Sequence, residues 1–452
     1  MRITIVGTGY VGLTTGVCLA SLGHQVTCVD IMPERVVAIN RGETPFYEPG
    51  LKEMLSDVLS EGRLHATTNL PQAVIESEIS FITVGTPQVD QGIDLSFVAI
   101  AAKEIGSALR HLSGYHVVVV KSTVVPGTMD TLVLPILEET SGRRADVFGL
   151  CMNPEFLREG SAINDFMNPD RIVIGQWDER SGQVLADLYK SFDCPKIFTT
   201  LRNAEMIKYA SNALLATLIS FSNEIAALCE ATPDTDIEVV MQGVHLDRRL
   251  SPTFNGQRIS PGILAFLRAG CGFGGSCLPK DVNALRMYAH KVGVASPLLD
   301  AVMAVNMRRP ARLVEIAEQT LGGLDGRILA VLGLAFKPGT DDMRESPALA
   351  VIRYLLEKGS VVRAYDPMAL KAAKLLLDKQ VILCDTPETT LSGADAALIV
   401  TAWPEFAQWD WAALTERMRC PVIIDGRRVL RQSELPEGVI YVPIGRARGN
   451  PV

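Results

Sequence analysis

The chain has 452 residues, 48% of them hydrophobic and 21% charged, with a formal net charge of −8. That length allows about three domains with sizeable cores, and the negative balance excludes a nucleic-acid scaffold, which needs a clustered basic surface. The arginine pairs at 143–144, 248–249, 308–309 and 427–428 are scattered, as solvated surface or single ligand contacts would be. Nine cysteines, odd in number and widely spaced, form neither a disulfide framework nor a zinc set, so no metal is expected and a reducing cytoplasm is. No uninterrupted apolar run reaches the ~18 residues of a membrane helix. The N-terminus shows no leader pattern, so no membrane association is expected.

Residues 2–6 read as an apolar strand, followed by the turn Gly7-Thr-Gly9-Tyr10-Val11-Gly12 and a helix to about Leu22. A second strand, 25–30, ends in Asp30. Strand, glycine turn, helix, strand and carboxylate together form a dinucleotide-binding unit. Gly7 makes the tight turn, Gly9 admits a pyrophosphate, Gly12 lets helix and strand pack, and the helix N-terminus receives phosphate charge. Asp30 suits ribose hydroxyls and disfavours a 2′-phosphate, which points to NAD. Cys18 and Cys28 sit in apolar surroundings and are expected in the core.

Ile79–Val84 and His116–Lys121 read as buried parallel strands. Their ends carry Thr86 and Thr123, which are candidate cofactor contacts or ordinary turn residues. In Met152–Gly160 the acids Glu155 and Glu159 are four apart, sharing a face if the segment is helical. Pro154 and Gly160 make a loop equally plausible, so the pair reads as a base with a cofactor contact or as surface. From about 203 to 230 runs one long helix, apolar on most faces, with Lys208 and Asn212 one turn apart. An unpaired buried lysine is costly, so Lys208 either snorkels or belongs to a site, and Asn212 beside it favours the site.

In Gly270–Asp281, the glycines at 270, 272, 274 and 275 precede Cys277, Lys280 and Asp281. A helix starting at Asp281 would set Cys277 near a helix N-terminus. Amide dipoles and an ammonium there would favour thiolate over thiol. The alternative is a buried cysteine in a glycine turn. Helical pattern continues through residues 281–307 and 310–321, and Gly322–Gly326 reads as a domain boundary. Strands expected at 327–336, 361–366, 396–401 and 421–427 make a second α/β sheet, and 446–452 reads as a loose tail.

Four of these stretches, in this order, are similar to the nucleotide-sugar 6-dehydrogenases, the UDP-glucose/GDP-mannose dehydrogenase family. They are Asn153–Gly160, the Lys208/Asn212 helix, Gly274–Asp281 and Phe336–Pro347. The resemblance spans nearly the whole chain. It implies an α/β fold with an N-terminal Rossmann NAD-binding domain (1–200), a central long-helix dimerisation domain (201–310) and a C-terminal Rossmann-like nucleotide-sugar domain (311–452). The implied chemistry is NAD-dependent, four-electron oxidation of a sugar C6 alcohol through a Cys277 thiohemiacetal and thioester, on a homodimer. Lys208 and Asn212 would stabilise the oxyanion, and Glu155 and Asp281 would serve as base and water-orienting group. Thr123 would position the reacting centre. NAD contacts are implied for the glycine turn with Tyr10 and Val11, for Asp30, Arg35, Thr86, Thr123, Glu159, Lys280 and Arg344. Substrate contacts are implied for Glu155, Phe156, Leu157, Lys208, Asn212, Arg258, Phe273, Gly274, Lys337 and Arg427.

Thr44–Gly50 and Asn168–Gly175 look like the branch acting on UDP-glucose, with a thymidine- or GDP-linked sugar as alternatives. One departure stands out: between Arg258-Ile259 and Phe266 the chain inserts Ser-Pro-Gly-Ile-Leu-Ala, longer than the family's spacer. In the family this arginine reaches a neighbouring subunit's substrate. A two-electron hydroxyacid-type dehydrogenase would share the first domain and the lysine helix but would not use Cys277. A non-catalytic NAD-binding regulator would tolerate its loss.

Overall fold

The structure is a computed structural model that describes residues 1–89 and 92–447. It falls into two compact units, residues 1–211 with 287–292, and residues 212–286 with 293–452.

The first unit is built on an eight-stranded sheet. Its strands are β1 (Arg2–Val6), β2 (Gln25–Val29), β3 (Leu64–Thr67), β4 (Ile79–Ile82), β5 (Val117–Val120), β6 (Gly149–Met152), β7 (Ile172–Gln176) and β8 (Lys196–Thr200). The spatial order is β8-β7-β6-β5-β4-β1-β2-β3, parallel except for the antiparallel β6–β7 pair. Strands such as Val117-Val-Val-Val120 are wholly buried, because helices cover both faces of a parallel sheet. The strand order reverses between β1 and β4, the place where doubly wound sheets open a ligand crevice. Helix α1 (Tyr10–Ser21) follows β1 directly, and Cys18 and Cys28 are core residues as expected.

Helix α2 (Leu201–Ala231) passes from the first unit to the second after Ser211. Among the described residues it is the one helix long and apolar enough to cross a membrane by length and composition. Its buried Glu205, Lys208, Asn212 and Asn223 are all engaged by protein groups, which marks it instead as a core helix. In the second unit, helix α3 (Leu278–Lys291, its last residues grouped with the first unit) is separated by a break at 292–296 from helix α4 (Pro297–Leu321). The expected continuous block is thus interrupted at Gly293, whereas Pro310 lies inside α4 without ending it. Gly322, in left-handed conformation, ends α4 where a boundary was expected.

The second sheet has six parallel strands: β9 (Ile328–Leu332), β10 (Val361–Tyr365), β11 (Ile382–Leu383), β12 (Ala396–Ile399), β13 (Val422–Asp425) and β14 (Ile440–Pro443). Their order is β11-β10-β9-β12-β13-β14, echoing the first sheet with its own switch point beside β9. Asp366 repeats the position of Asp30, but its carboxylate is consumed by the N–H groups of Leu334, Ala335, Met368, Ala369 and the Trp403 indole. The expected loose tail is corrected at its start: Arg446 is bonded to Asp236 at 2.8 Å. Residues 448–452 lie outside the described residues.

Candidate active site

The dinucleotide turn is formed as the sequence pattern predicts. Gly7 has φ +96°, and a Cβ on Gly12 would stand 1.9 Å from the Gly7 carbonyl oxygen, so only glycine lets α1 pack here. Nothing lies within 4 Å of where a Cβ on Gly9 would be. Gly9 caps α1 with backbone alone, so the helix N-terminal amides carry no side-chain partner at the cap. Asp30 accepts the N–H and hydroxyl of Thr8 (2.9 and 2.6 Å), the N–H of Met32 (3.1 Å) and Arg35 (3.1 Å). Burial pulls its carboxyl up, but these donors outweigh it and hold it below the usual range, ionised for ribose hydroxyls. An open backbone cradle at a helix N-terminus beside an ionised acid fits the pyrophosphate and ribose of NAD. Arg35, expected to face the cofactor, spends its bond on Asp30. Thr86 and Thr123 are brought together, the Thr86 hydroxyl donating to the Thr123 carbonyl at 2.9 Å.

Tyr10 and the 153–160 segment meet through a residue that sequence reading missed. That segment is a loop, not a helix, so Glu155 and Glu159 do not share a helical face. Glu48 is buried and accepts from the Tyr10 hydroxyl, the Gly160 N–H (2.7 Å) and the Ala162 N–H (2.7 Å). It ties the start of α1 to the loop that carries Glu155.

Glu155 is the centre of the polar cluster in the first unit. Its Oε1 accepts from Lys208 Nζ at 2.8 Å and its Oε2 from the Leu157 N–H at 2.6 Å, with both Lys208 and Glu155 buried. Lys208 is therefore buried and ion-paired and does not snorkel to solvent. Burial pulls the Glu155 carboxyl up, but Lys208, the Leu157 amide and Lys121 more than offset it and leave it below the usual range. Phe156 lies under Lys208 and under the Arg171 guanidinium, 5.4 and 3.9 Å from its ring centre.

Lys208 and Asn212 occupy successive turns of α2, but their partners differ. In the second unit, Asn212 Nδ2 donates to Asp281 Oδ2 at 2.6 Å, and Lys280 Nζ donates to Asp281 Oδ1 at 2.6 Å. Asp281 is thereby fixed from both sides, at 1% exposure. Helix α3 begins at Leu278, three residues earlier than expected, because Pro279 needs no N–H partner in a first turn. Cys277 is therefore the capping residue itself, its carbonyl accepting the Asp281 N–H at 2.8 Å. The thiol is half-buried and lies 3.6 Å from the Ser276 hydroxyl. Lys280, expected to face the thiol or the cofactor, is paired with Asp281.

The glycine stretch before Cys277 is held by groups that sequence reading did not find. Asn223 Oδ1 takes the Gly270 N–H (2.8 Å), Asn306 brackets Phe273 through its N–H and carbonyl (2.7 and 3.0 Å), and Arg309 Nε donates to Gly270 O (3.0 Å). Arg309, read as solvated surface or a single ligand contact, is 3% exposed and paired with Glu230. Gly275 N donates to Arg344 O at 2.9 Å, and the Gly274–Gly275 backbone lies against Glu345 and the Phe336 ring. Arg427 donates to Val400 O at 2.7 Å and lies beside Gly270, while Lys337 lies 5.6 Å from the Phe336 ring centre. The Arg344 guanidinium, expected to touch cofactor, is paired with Asp342 at 2.7 Å. Arg258 sits on an exposed hairpin (253–258), and the inserted residues after it form a short 3₁₀ turn, Gly262–Phe266.

A doubly wound sheet with a working dinucleotide turn, joined through long helices to a second α/β sheet, places the chain among the dinucleotide-dependent dehydrogenases. It belongs to the UDP-glucose/GDP-mannose dehydrogenase family: residues 1–193 match the family's NAD binding domain, 202–308 its central domain and 330–432 its UDP binding domain. The chain is 43% identical over 448 residues to the UDP-glucose 6-dehydrogenase YwqF of Bacillus subtilis, covering 99% of this chain and 98% of that one. A Pseudomonas aeruginosa UDP-glucose 6-dehydrogenase is 42% identical over 461 residues, covering 99% and 98%. Among solved structures, a UDP-glucose dehydrogenase from Pyrobaculum islandicum superposes with a TM-score of 0.89 at 41% identity, covering 98% of each chain. The protein is thus an NAD-dependent oxidoreductase, and the alternatives of a plain hydroxyacid-type dehydrogenase or a non-catalytic regulator fall away.

Proposed function

We propose that this enzyme oxidises UDP-glucose at C6 to UDP-glucuronate in two two-electron steps, through a thioester on Cys277. The carrying observation is that Cys277 caps α3 through its carbonyl, and that the first turn of α3 holds Asp281 fixed by Asn212 and Lys280. The full-length likeness to UDP-glucose 6-dehydrogenases supports the choice of sugar nucleotide.

NAD⁺, when bound by the Gly7–Gly12 turn and Asp30, supplies the hydride acceptor. The turn, Tyr10, Val11, Thr86, Thr123, Glu159, Lys280 and Arg344 would line its site, with Arg35 positioning Asp30. Across the reaction RCH₂OH, two NAD⁺ and one water become RCOO⁻, two NADH and three protons. Cys277, as thiolate at a helix N-terminus, adds to the C6 aldehyde, forming the C–S bond of a thiohemiacetal. Lys208 and Asn212 stabilise the oxyanion that forms at C6 oxygen. Loss of the second hydride leaves the thioester. Glu155, held ionised, takes a proton from the attacking water as the C–S bond breaks and the thiolate leaves. Asp281 orients the reacting groups through Asn212. Phe156, Leu157, Phe273, Gly274, Lys337 and Arg427 hold the sugar nucleotide.

Exposed apolar residues along α2, Leu214 (53%), Phe221 (49%) and Leu228 (60%), support a homodimer in which Arg258 reaches the partner's substrate. Free thiols at Cys18, Cys151, Cys194, Cys271 and Cys420, among others, support a reducing, cytoplasmic setting. The test is Cys277→Ser with UDP-glucose, thymidine-diphosphoglucose and GDP-mannose offered to the parent enzyme in parallel. The reading expects UDP-glucuronate from the parent enzyme and none from the variant. Uronate from the variant at the parent rate would sink the thioester.

A further inference from the structure

The segment Thr44–Gly50 joins helix Pro33–Asn40 to helix Leu51–Ser60 and carries the acid Glu48. Gly50 is left-handed (φ +78°), and the Leu51 N–H donates to Glu48 O at 3.1 Å, which fixes the Glu48 backbone where a helix begins. Phe46, two residues earlier, packs on the Tyr10 ring with 4.9 Å between centres. Glu48 is 5% exposed. A buried carboxylate needs donors, and Glu48 has three, from two distant parts of the chain. Its Oε1 accepts the Ala162 N–H at 2.7 Å, and its Oε2 accepts the Gly160 N–H at 2.7 Å and the Tyr10 hydroxyl. The Gly160 N–H is shared with the Tyr10 Oη at 3.1 Å, which closes a ring of Tyr10, Glu48 and Gly160.

The loop from 153 to 162 is anchored in two separate halves. In the leading half, Glu155 Oε1 accepts from Lys208 Nζ at 2.8 Å and Oε2 from the Leu157 N–H at 2.6 Å. Arg158 is tied to Asp165 through its N–H (2.9 Å) and its guanidinium (2.6 Å). The trailing half turns at Gly160, with φ +81°. Among the described residues, the amides of Gly160 and Ala162 are held by Glu48 and Tyr10 alone. Glu159 comes immediately before this clamp, and its carbonyl carbon is bonded to the clamped Gly160 nitrogen. The clamp therefore fixes the peptide from which the Glu159 side chain leaves, and ties it to Tyr10, the first residue of α1.

Resting on the reading of Tyr10 and Glu159 as NAD contacts given above, we propose that Glu48 is a positioning residue for the cofactor: by clamping Gly160 to Tyr10 it sets Glu159 against the dinucleotide turn. Loss of the clamp loosens the half of the loop that faces NAD. The half that faces the sugar nucleotide keeps its anchors on Lys208 and Asp165. Glu48→Gln preserves the size of the side chain but has one acceptor oxygen where the carboxylate has two. Its NH₂ group is set against an N–H donor, so one of the two loop amides loses its acceptor.

The test is NADH binding to Glu48→Gln, followed by NADH fluorescence, together with initial rates in which NAD⁺ and UDP-glucose are varied in turn. Kd for NADH and KM for NAD⁺ are expected to rise together by roughly tenfold, with KM for UDP-glucose within about threefold of the parent enzyme. A residue that only supports the fold would lower Tm and shift both KM values alike, or neither. An unchanged Kd for NADH, or a proportional rise in both KM values, therefore overturns the proposal. Where Glu48→Gln does not fold, Glu48→Asp carries the test on the same terms. It is one methylene shorter and reaches one amide but not both, so the same split is expected at roughly threefold. Glu159→Ala separates the two levels. If that variant binds NADH as the parent does, the cofactor reading of Glu159 is wrong and the proposal falls with it. If it binds NADH weakly while Glu48→Gln binds it normally, only the role of Glu48 falls.

Discussion

Replacing Gly274 by alanine tests whether the packing of the glycine stretch sets the position of the thiol. A Cβ on Gly274 would stand 2.1 Å from the Glu345 carbonyl oxygen and 2.8 Å from its carbon, where ordinary contact begins near 3.4 Å. The shortfall is about 1.3 Å, and it falls on backbone, which cannot rotate away. The next residue offers no relief, because Gly275 has φ +83° and lies against the Phe336 ring. The loop must therefore move away from residues 345–346 and break the 2.9 Å bond from Gly275 N to Arg344 O. Overpacking costs about 1–3 kcal/mol and the lost bond about 1 kcal/mol more. A displacement of about 1 Å at a nucleophile two or three residues further on costs roughly a hundredfold in rate. The assay is kcat/KM from NADH absorbance alongside thermal unfolding. Gly262→Ala is the control, since nothing lies within 4 Å of its would-be Cβ. The reasoning is refuted if Gly274→Ala matches the control in both rate and Tm.

Glu155→Gln should let both oxidations proceed but block hydrolysis, so a stable adduct on Cys277 is expected by intact-protein mass spectrometry; no adduct and normal turnover would contradict the assignment. Asn306→Ala removes both bonds that bracket Phe273 and should lower stability by about 2–4 kcal/mol, read by urea unfolding. Glu205, fully buried, accepts the N–H groups of Gly127 and Met129, and burial pushes its carboxyl from 4.5 up to about 7. A carboxyl whose proton is held more tightly in the folded state stabilises most at low pH, and that stability is lost as pH rises from 4.5 to 7. The advantage of the parent over Glu205→Gln should shrink by about 3 kcal/mol across that window, and a constant difference would contradict it. Asp30→Ala should raise KM for NAD⁺ at least tenfold and narrow the preference over NADP⁺, measured by initial rates with each cofactor.

What the sequence made legible was whatever is written locally. The turn Gly7–Gly12 and Asp30 lie within one βαβ unit, and the alternation of apolar runs predicted both sheets. Cys277 and Lys280–Asp281 share one short stretch, although the helix expected from Asp281 begins at Leu278, with Pro279 in its first turn. The supports of the site were illegible because their partners are far apart in the chain. Glu48 lies 112 residues before the Gly160 amide it accepts, and Asn306 lies 33 residues from Phe273. Arg309, half of an apparent surface pair, turns inward to Glu230 79 residues earlier. Lys121 closes a run of four valines at the end of a strand. Nothing in its neighbours in sequence indicates Asn153, and only the sheet, by setting β5 beside β6, brings the two together.

The central claim is a four-electron oxidation carried by Cys277, and NADH released per limiting UDP-glucose tests it most directly. Two NADH per sugar from the parent enzyme, with no uronate from Cys277→Ser, is the result predicted here. One NADH per sugar, with an aldehyde as the released product, would contradict the account.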